Sequence, residues 1–314
     1  MSLRTDVSTL VLLATVSCAS GPRTVAEGQP GAQHLAIDLN YVYWTVGSGS
    51  SSTLMKALKD DKQPPVQVMA IPGAVQAVAV DDDGLYVVVE PAPGQVFVRK
   101  VPKKTGQQPS DLVNTRSAIT SIGLDATHVY WTQTGNALDP DDNATSGVLR
   151  VMRSGGTPLC MAARQPGTPG HIALSATHAY WLNSEAGKHT IMAVRKAGGA
   201  ATALATVPEA ETGGAPALAA DDAAVFYKTR TAVMKLSPEG GAPTRLAEVA
   251  DSDSSLLAMD ARSLYFAGAR GPMRLPLQGG VAVGLAEGAA TAIAVDQGSI
   301  YWLTSGRVMQ APKR

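Results

Sequence analysis

The sequence predicts an all-β fold made by repetition, and three observations carry the prediction. An aromatic pair recurs as Tyr43-Trp44, Tyr86-Val87, Tyr130-Trp131, Tyr180-Trp181, Phe226-Tyr227, Tyr265-Phe266 and Tyr301-Trp302, at intervals of 43, 44, 50, 46, 39 and 36 residues. All 4 tryptophans occupy the second position, and only Tyr41 and Phe97 among the aromatics fall outside the pairs. Upstream of each pair runs a five-residue strand pattern, from His34-Leu35-Ala36-Ile37-Asp38 in the first copy to Ala292-Ile293-Ala294-Val295-Asp296 in the seventh. Downstream, a third strand carries a bulky residue: Met55, Phe97, Leu149, Met192, Met234, Met273 and Met309. Short strands at a period of about 40 residues specify a β-propeller of seven four-stranded blades.

Each element has a local reason. In the first strand the second position is aliphatic and the third is Ala or Gly in every copy, the two-residue period of a strand. A small third position is expected where the innermost strands crowd near the axis. Asp closes six of the seven patterns and Ser175 the fourth. Such a side chain accepts from the amides of its own turn, so these acids are expected to be structural. The bulky third-strand residues are expected to fill the core. A Gly-Gly turn at Gly155, Gly198, Gly240 and Gly279 then leads to a fourth apolar segment. The seventh copy ends after its third strand, while Arg23-Thr24-Val25-Ala26-Glu27 precedes the first. That early segment is expected to complete the last blade and lock the ring, leaving no raw edge.

The beginning of the chain reads as an export signal. Arg4 precedes the apolar stretch Val7 to Val16, too short for the roughly 20 residues of a spanning helix, and small residues lead into Cys18. The stretch Ala14-Thr15-Val16-Ser17-Cys18 resembles the lipobox of bacterial lipoproteins, which implies lipidation at Cys18. The domains are then a signal over 1–18 and one propeller over 19–314. With Cys18 lipidated, only Cys160 remains, and it is expected to be a small buried hydrophobe.

The repeat is similar to YWTD and NHL-type propeller repeats, in which an Ile-x-x-Asp strand precedes a Tyr-Trp pair. Val46 and Gln133 stand where YWTD repeats carry Asp, so the resemblance implies the fold and not the receptor function of that family. Bacterial envelope lipoproteins with such propellers are a nearer match. They imply a location in the cell envelope, anchored by lipid, at the outer membrane by analogy with lipoprotein sorting, or else periplasmic or secreted.

Charge narrows the function. The chain has 26 basic and 26 acidic residues, so nothing marks it for nucleic acid. It contains no Gly-x-Ser-x-Gly, no His-Glu-x-x-His, no paired-Cys zinc spacing and no phosphate loop. The expected function is a non-enzymatic, monomeric envelope scaffold that binds a protein or small ligand through one loop face. The alternative is a metal-dependent lyase or hydrolase at the channel mouth. His34 and His171 share the first position of the inner strand in blades 1 and 4, with Ser121 equivalent in blade 3, and these are the candidate ligand-binding residues. A long insertion in blade 3 carries Asp139, Asp141 and Asp142, candidate Ca²⁺ ligands in an otherwise cofactor-free protein. His128 and His178 share a turn position on the opposite face, and His189 is expected in a connecting loop.

Overall fold

A computed structural model describes residues 21–313 apart from 49, 61, 136–145, 215, 251–255 and 269. Seven four-stranded antiparallel sheets form the blades. Blade 1 runs outward from the axis through Ala32–Ile37, Tyr41–Ser48, Ser51–Leu58 and Val66–Pro72. The first strands of successive blades lie side by side, and those of blades 1 and 7 also meet, so the ring is closed. Blade 7 takes Ala292–Val295, Ser299–Thr304 and Arg307–Pro312 from the end of the chain and Arg23–Ala26 from its start. Arg23 faces Gln310, Thr24 faces Met309 and Ala26 faces Val308, as the matching of the chain ends predicts. The single described helix, Glu209–Thr212, is one turn long.

Packing follows the repeat. Seven hydrophobic clusters form, one at each junction between blades, such as Tyr86, Val88, Ile119, Val129 and Trp131 between blades 2 and 3. The largest fully buried side chains are the four tryptophans and the tyrosines and phenylalanines of the recurring pairs. Burying each contributes roughly 2–3 kcal/mol, which is why a chain so poor in aromatics spends them here. The small third position has the expected steric cause: a Cβ on Gly123 would lie 3.2 Å from Leu174 Cδ1 of the next blade.

Three details differ from the sequence reading. In blade 2 the residue opposite Val87 is Arg99, and Phe97 faces Val89 instead, although Phe97 still packs on the core. In the other six blades the bulky residue lies opposite the second member of the pair. Cys160 is exposed rather than buried, because the outermost strand Leu159–Ala162 turns its first two residues to solvent. His189 is not in a loop. It lies in the third strand of blade 4, Lys188–Arg195, buried with Nδ1 2.9 Å from Ser184 Oγ.

Candidate functional site

The two faces of the ring do different work. On the face where each first strand ends, the closing Asp caps its own hairpin: Asp38 Oδ1 accepts from the amides of Asn40 and Tyr41, and Asp81, Asp125, Asp221, Asp260 and Asp296 repeat the bonding. Ser175 does the same with its hydroxyl in blade 4. The second carboxylate oxygen faces the neighbouring blade. It takes a cation from the end of that blade's third strand: Lys103 on Asp38 at 2.6 Å, Arg153 on Asp81 at 2.6 Å, Lys196 on Asp125 at 2.9 Å, Lys313 on Asp260 at 2.5 Å and Lys59 on Asp296 at 2.6 Å. The hydroxyls of Tyr43, Tyr130 and Tyr265 donate to the same oxygens.

Five junctions therefore carry an ionic latch of acid and cation, and in three of them the tyrosine joins it. Lys59, Lys196 and Lys313 also sit 4.9–5.0 Å from the centres of Tyr301, Tyr130 and Tyr265. Burial pushes Asp260 up, but the Lys313 ammonium, two amides and the Tyr265 hydroxyl overcome it and hold the acid at about 2. The Tyr265 hydroxyl is pushed up to about 12 by burial and by that carboxylate. At the two remaining junctions the cation's place in the repeat, four residues after the bulky third-strand residue, is held by Pro238 and by Leu277, the latter buried in the cluster that holds Phe226. The repeated cation after the third strand was visible in the sequence, but only the fold shows that it meets the acid of the preceding blade. His128 and His178 belong to this face, each beside the threonine before it and the tyrosine after it.

The opposite face holds the candidate site. A cavity of about 360 Å³ opens on the ring axis, and the first-position residues of all seven blades line it. The structure thus brings His34, Ser121 and His171 to one wall. A backbone device puts them there. The inner strands of blades 1 to 4 each carry a β-bulge: at 34–35, at Gln76, at Thr120 and at 170–171. A bulge leaves one residue unpaired and re-aims it. The inner strands of blades 5 and 6, Leu218–Ala220 and Leu257–Met259, and that of blade 7 pair without one. His34 takes a left-handed φ of 48°, a conformation that costs a non-glycine residue about 1 kcal/mol. Sequence reasoning missed Gln76 and Thr120, since each precedes the repeat pattern by one residue and enters the cavity wall only through its bulge.

The polar groups of this wall are partly engaged. Ser121 Oγ accepts from the Ile172 amide at 3.2 Å, and His171 Nδ1 accepts from the Leu218 amide at 3.2 Å, each reaching the next blade. Thr120 Oγ1 donates to the Pro169 carbonyl at 2.5 Å, and Thr132 Oγ1 to the Gly170 carbonyl at 2.7 Å. Gln76 Nε2 donates to Glu90 at 2.8 Å. Burial pushes His171 down to about 4. Burial also lowers His34, while its hydrogen bond to the Val75 backbone works the other way. Both imidazoles are neutral at pH 7.

This geometry bears on metal. Zinc-type sites use a neutral imidazole whose second nitrogen donates a hydrogen bond to fix the tautomer. In His171 Nδ1 accepts, so Nε2 carries the proton and presents a donor instead of a lone pair. Among the described residues no three of His, Cys, Asp or Glu converge to hold an ion. The acids Asp139, Asp141 and Asp142 and the lipidation candidate Cys18 lie outside the described residues. Among the described residues no helix is long and apolar enough to cross a membrane.

Fold and site together define a closed seven-bladed β-propeller with a cavity on its axis. No family model and no curated protein matches the sequence. Solved structures match the fold. The WD40 domain of coronin from Toxoplasma gondii is 13% identical with a TM-score of 0.63, covering 93% of this chain and 86% of that one. BamB from Moraxella catarrhalis is 14% identical with a TM-score of 0.54, covering 89% and 82%. The extracellular domain of a one component system from B. thetaiotaomicron is 12% identical with a TM-score of 0.62; the match covers 93% of this chain but 40% of that longer one. At such identities the likeness is one of fold.

Proposed function

We propose that the protein is a cell-envelope lipoprotein whose propeller binds a small ligand or an inserted segment of a partner at its axial cavity, without catalysis. The observation that supports this most is the placement of polar residues. Among the described residues, all five polar side chains of the cavity wall stand in or beside the four bulges, and none of the lining residues is Asp, Glu, Lys or Arg. Bulges that turn side chains into a cavity suit recognition, whereas the latches that hold the ring lie on the other face. A catalytic propeller would need convergent acid, base or metal groups on the axis. The anchored location rests on the signal-like first segment and on Cys18.

Two measurements test the reading. Ala217→Leu would fill the apolar side of the cavity without touching its polar groups. Ligands found by a thermal-shift screen should raise the melting temperature of the natural protein and not of this variant. Equal shifts in both would place binding elsewhere. Labelled palmitate should enter the protein in bacterial cells and be lost in Cys18→Ala; label that persists in the variant would refute the anchor.

A further inference from the structure

The cavity wall is divided in a way that selects a chemical class. Blades 5 to 7 contribute Pro216, Ala217, Leu256, Leu257, Ala292 and Ile293, an apolar half. Blades 1 to 4 contribute the polar half, and the hydrogen bonds already made there fix what each group has left to offer. With Nδ1 committed to the Leu218 amide, His171 offers Nε2–H. Ser121 Oγ accepts from Ile172 and so keeps its hydroxyl proton to give. Both of these are donors, on blades 3 and 4. On blade 2, Gln76 donates one N–H to Glu90 and keeps Oε1 as an acceptor beside its second N–H. On blade 1, His34 is a neutral ring with one donor and one acceptor nitrogen. The polar half therefore offers both acceptors and donors, with the His171 and Ser121 donors on blades 3 and 4 and the Gln76 and His34 acceptors on blades 1 and 2.

Resting on the reading of this cavity as the binding site, we infer that its ligand is an uncharged amide-type group with an apolar body. The carbonyl would face His171 and Ser121, the N–H would face Gln76 and His34, and the body would lie against Ala217, Leu257 and Ile293. A carboxylate would meet the acceptors of blades 1 and 2, and an ammonium the donors of blades 3 and 4. Neither finds a counter-charge among the described residues of the wall, and an unpaired charge taken from water is strongly disfavoured. A peptide unit beside an apolar side chain and a small carboxamide share this chemistry.

The test uses benzamide, benzoate, benzylammonium and toluene, which share a ring and differ in the polar edge. Binding to the full mature protein is read by ligand-detected NMR and calorimetry. Benzamide should bind in the millimolar range expected of so small a ligand and at least five-fold more tightly than the other three. His34→Leu, which removes an acceptor, should weaken benzamide several-fold and leave toluene unchanged. Ala217→Leu should abolish binding of both. Benzoate or benzylammonium binding as well as benzamide, with Ala217→Leu still blocking it, would overturn the ligand class and leave the site standing. Binding indifferent to Ala217→Leu, or no binding by any of the four, would overturn the site itself.

Discussion

Lys59 and Asp296 lie 237 positions apart in the chain, and their side chains meet at 2.6 Å. The contact joins blade 1 to blade 7, so it closes the ring a second time, on the axial side of the strand exchange made by Arg23–Ala26. Lys59 is 6% exposed and Asp296 28%. Burial pushes Asp296 up, but the Lys59 ammonium and two amides outweigh it and lower the acid. A pair this sheltered is costly to break, because the survivor keeps its charge with little water to solvate it.

Lys59→Ala should therefore destabilise the protein by about 2 kcal/mol. Denaturant titration measures it, and Lys59→Ala/Asp296→Asn should recover part of the loss. A single variant within about 0.5 kcal/mol of the natural protein would show the latch to be idle.

The junction between blades 4 and 5 allows the converse. There Ser175 stands in the acid's place and Pro238 in the cation's, and the space beside Pro238 is a cavity of about 310 Å³ that also reaches Arg195 and Glu239. Ser175→Asp alone should destabilise, placing a carboxylate at a buried position close to Asp222, which already bonds Thr177. Ser175→Asp with Pro238→Lys should restore stability, with a coupling of about 1–2 kcal/mol in a double-mutant cycle. Additive effects would mean that no sixth latch had formed.

Acid should weaken the protein in two separate windows. His171 is neutral in the fold, with burial holding it at about 4 against 6.5 in an unfolded chain. Between those values the unfolded state binds the proton first, so stability falls as pH drops from 6.5 to 4, by at most about 3 kcal/mol. Asp260 acts in the same direction over a lower range: its folded value is lowered to about 2, so its stabilisation is intact above about 4 and is lost as pH falls from there toward 2. His171→Asn keeps an acceptor for the Leu218 amide and should flatten the upper window alone. Identical pH curves for the variant and the natural protein would remove His171 from this account.

The small third position gives a steric prediction. Gly123→Ala should cost little, since Ala fills the equivalent place in the other six blades. Gly123→Val would press on Leu174 and Ile172, with a cost of about 1–3 kcal/mol in denaturant titrations. Equal stability of the two variants would show that the junction has slack.

The fold was legible because its information is redundant: seven copies of a strand period and an aromatic pair allow one copy to fail, as in Tyr86-Val87, without hiding the rest. The blade-closing strand could be read for the same reason. His34, Ser121 and His171 were legible as a set because they share one repeat position, and the ring symmetry carries that position to the axis. Gln76 and Thr120 were not, because a bulge is a departure from pairing that leaves no mark on hydrophobic period. The latches were hidden for another reason. Each joins two copies of the repeat, and comparison of copies with one another shows Lys196 and Asp125 as separate columns. Phe97 misled through identity: a lone large residue at nearly the right place outranked Arg99, which holds the position.

The exchange in blade 7 sets an order of assembly. Residues 23–26 leave the ribosome before any blade exists, and their partner, Arg307–Pro312, is the last strand to follow. Six blades and three-quarters of the seventh must be in place before the first strand made has anywhere to go. Contacts this distant in sequence form slowly, and until they do the chain carries both a free strand and an open edge that fits it. A second molecule caught at the same stage could supply that strand instead, so folding at high concentration should favour exchanged dimers over rings that close on themselves.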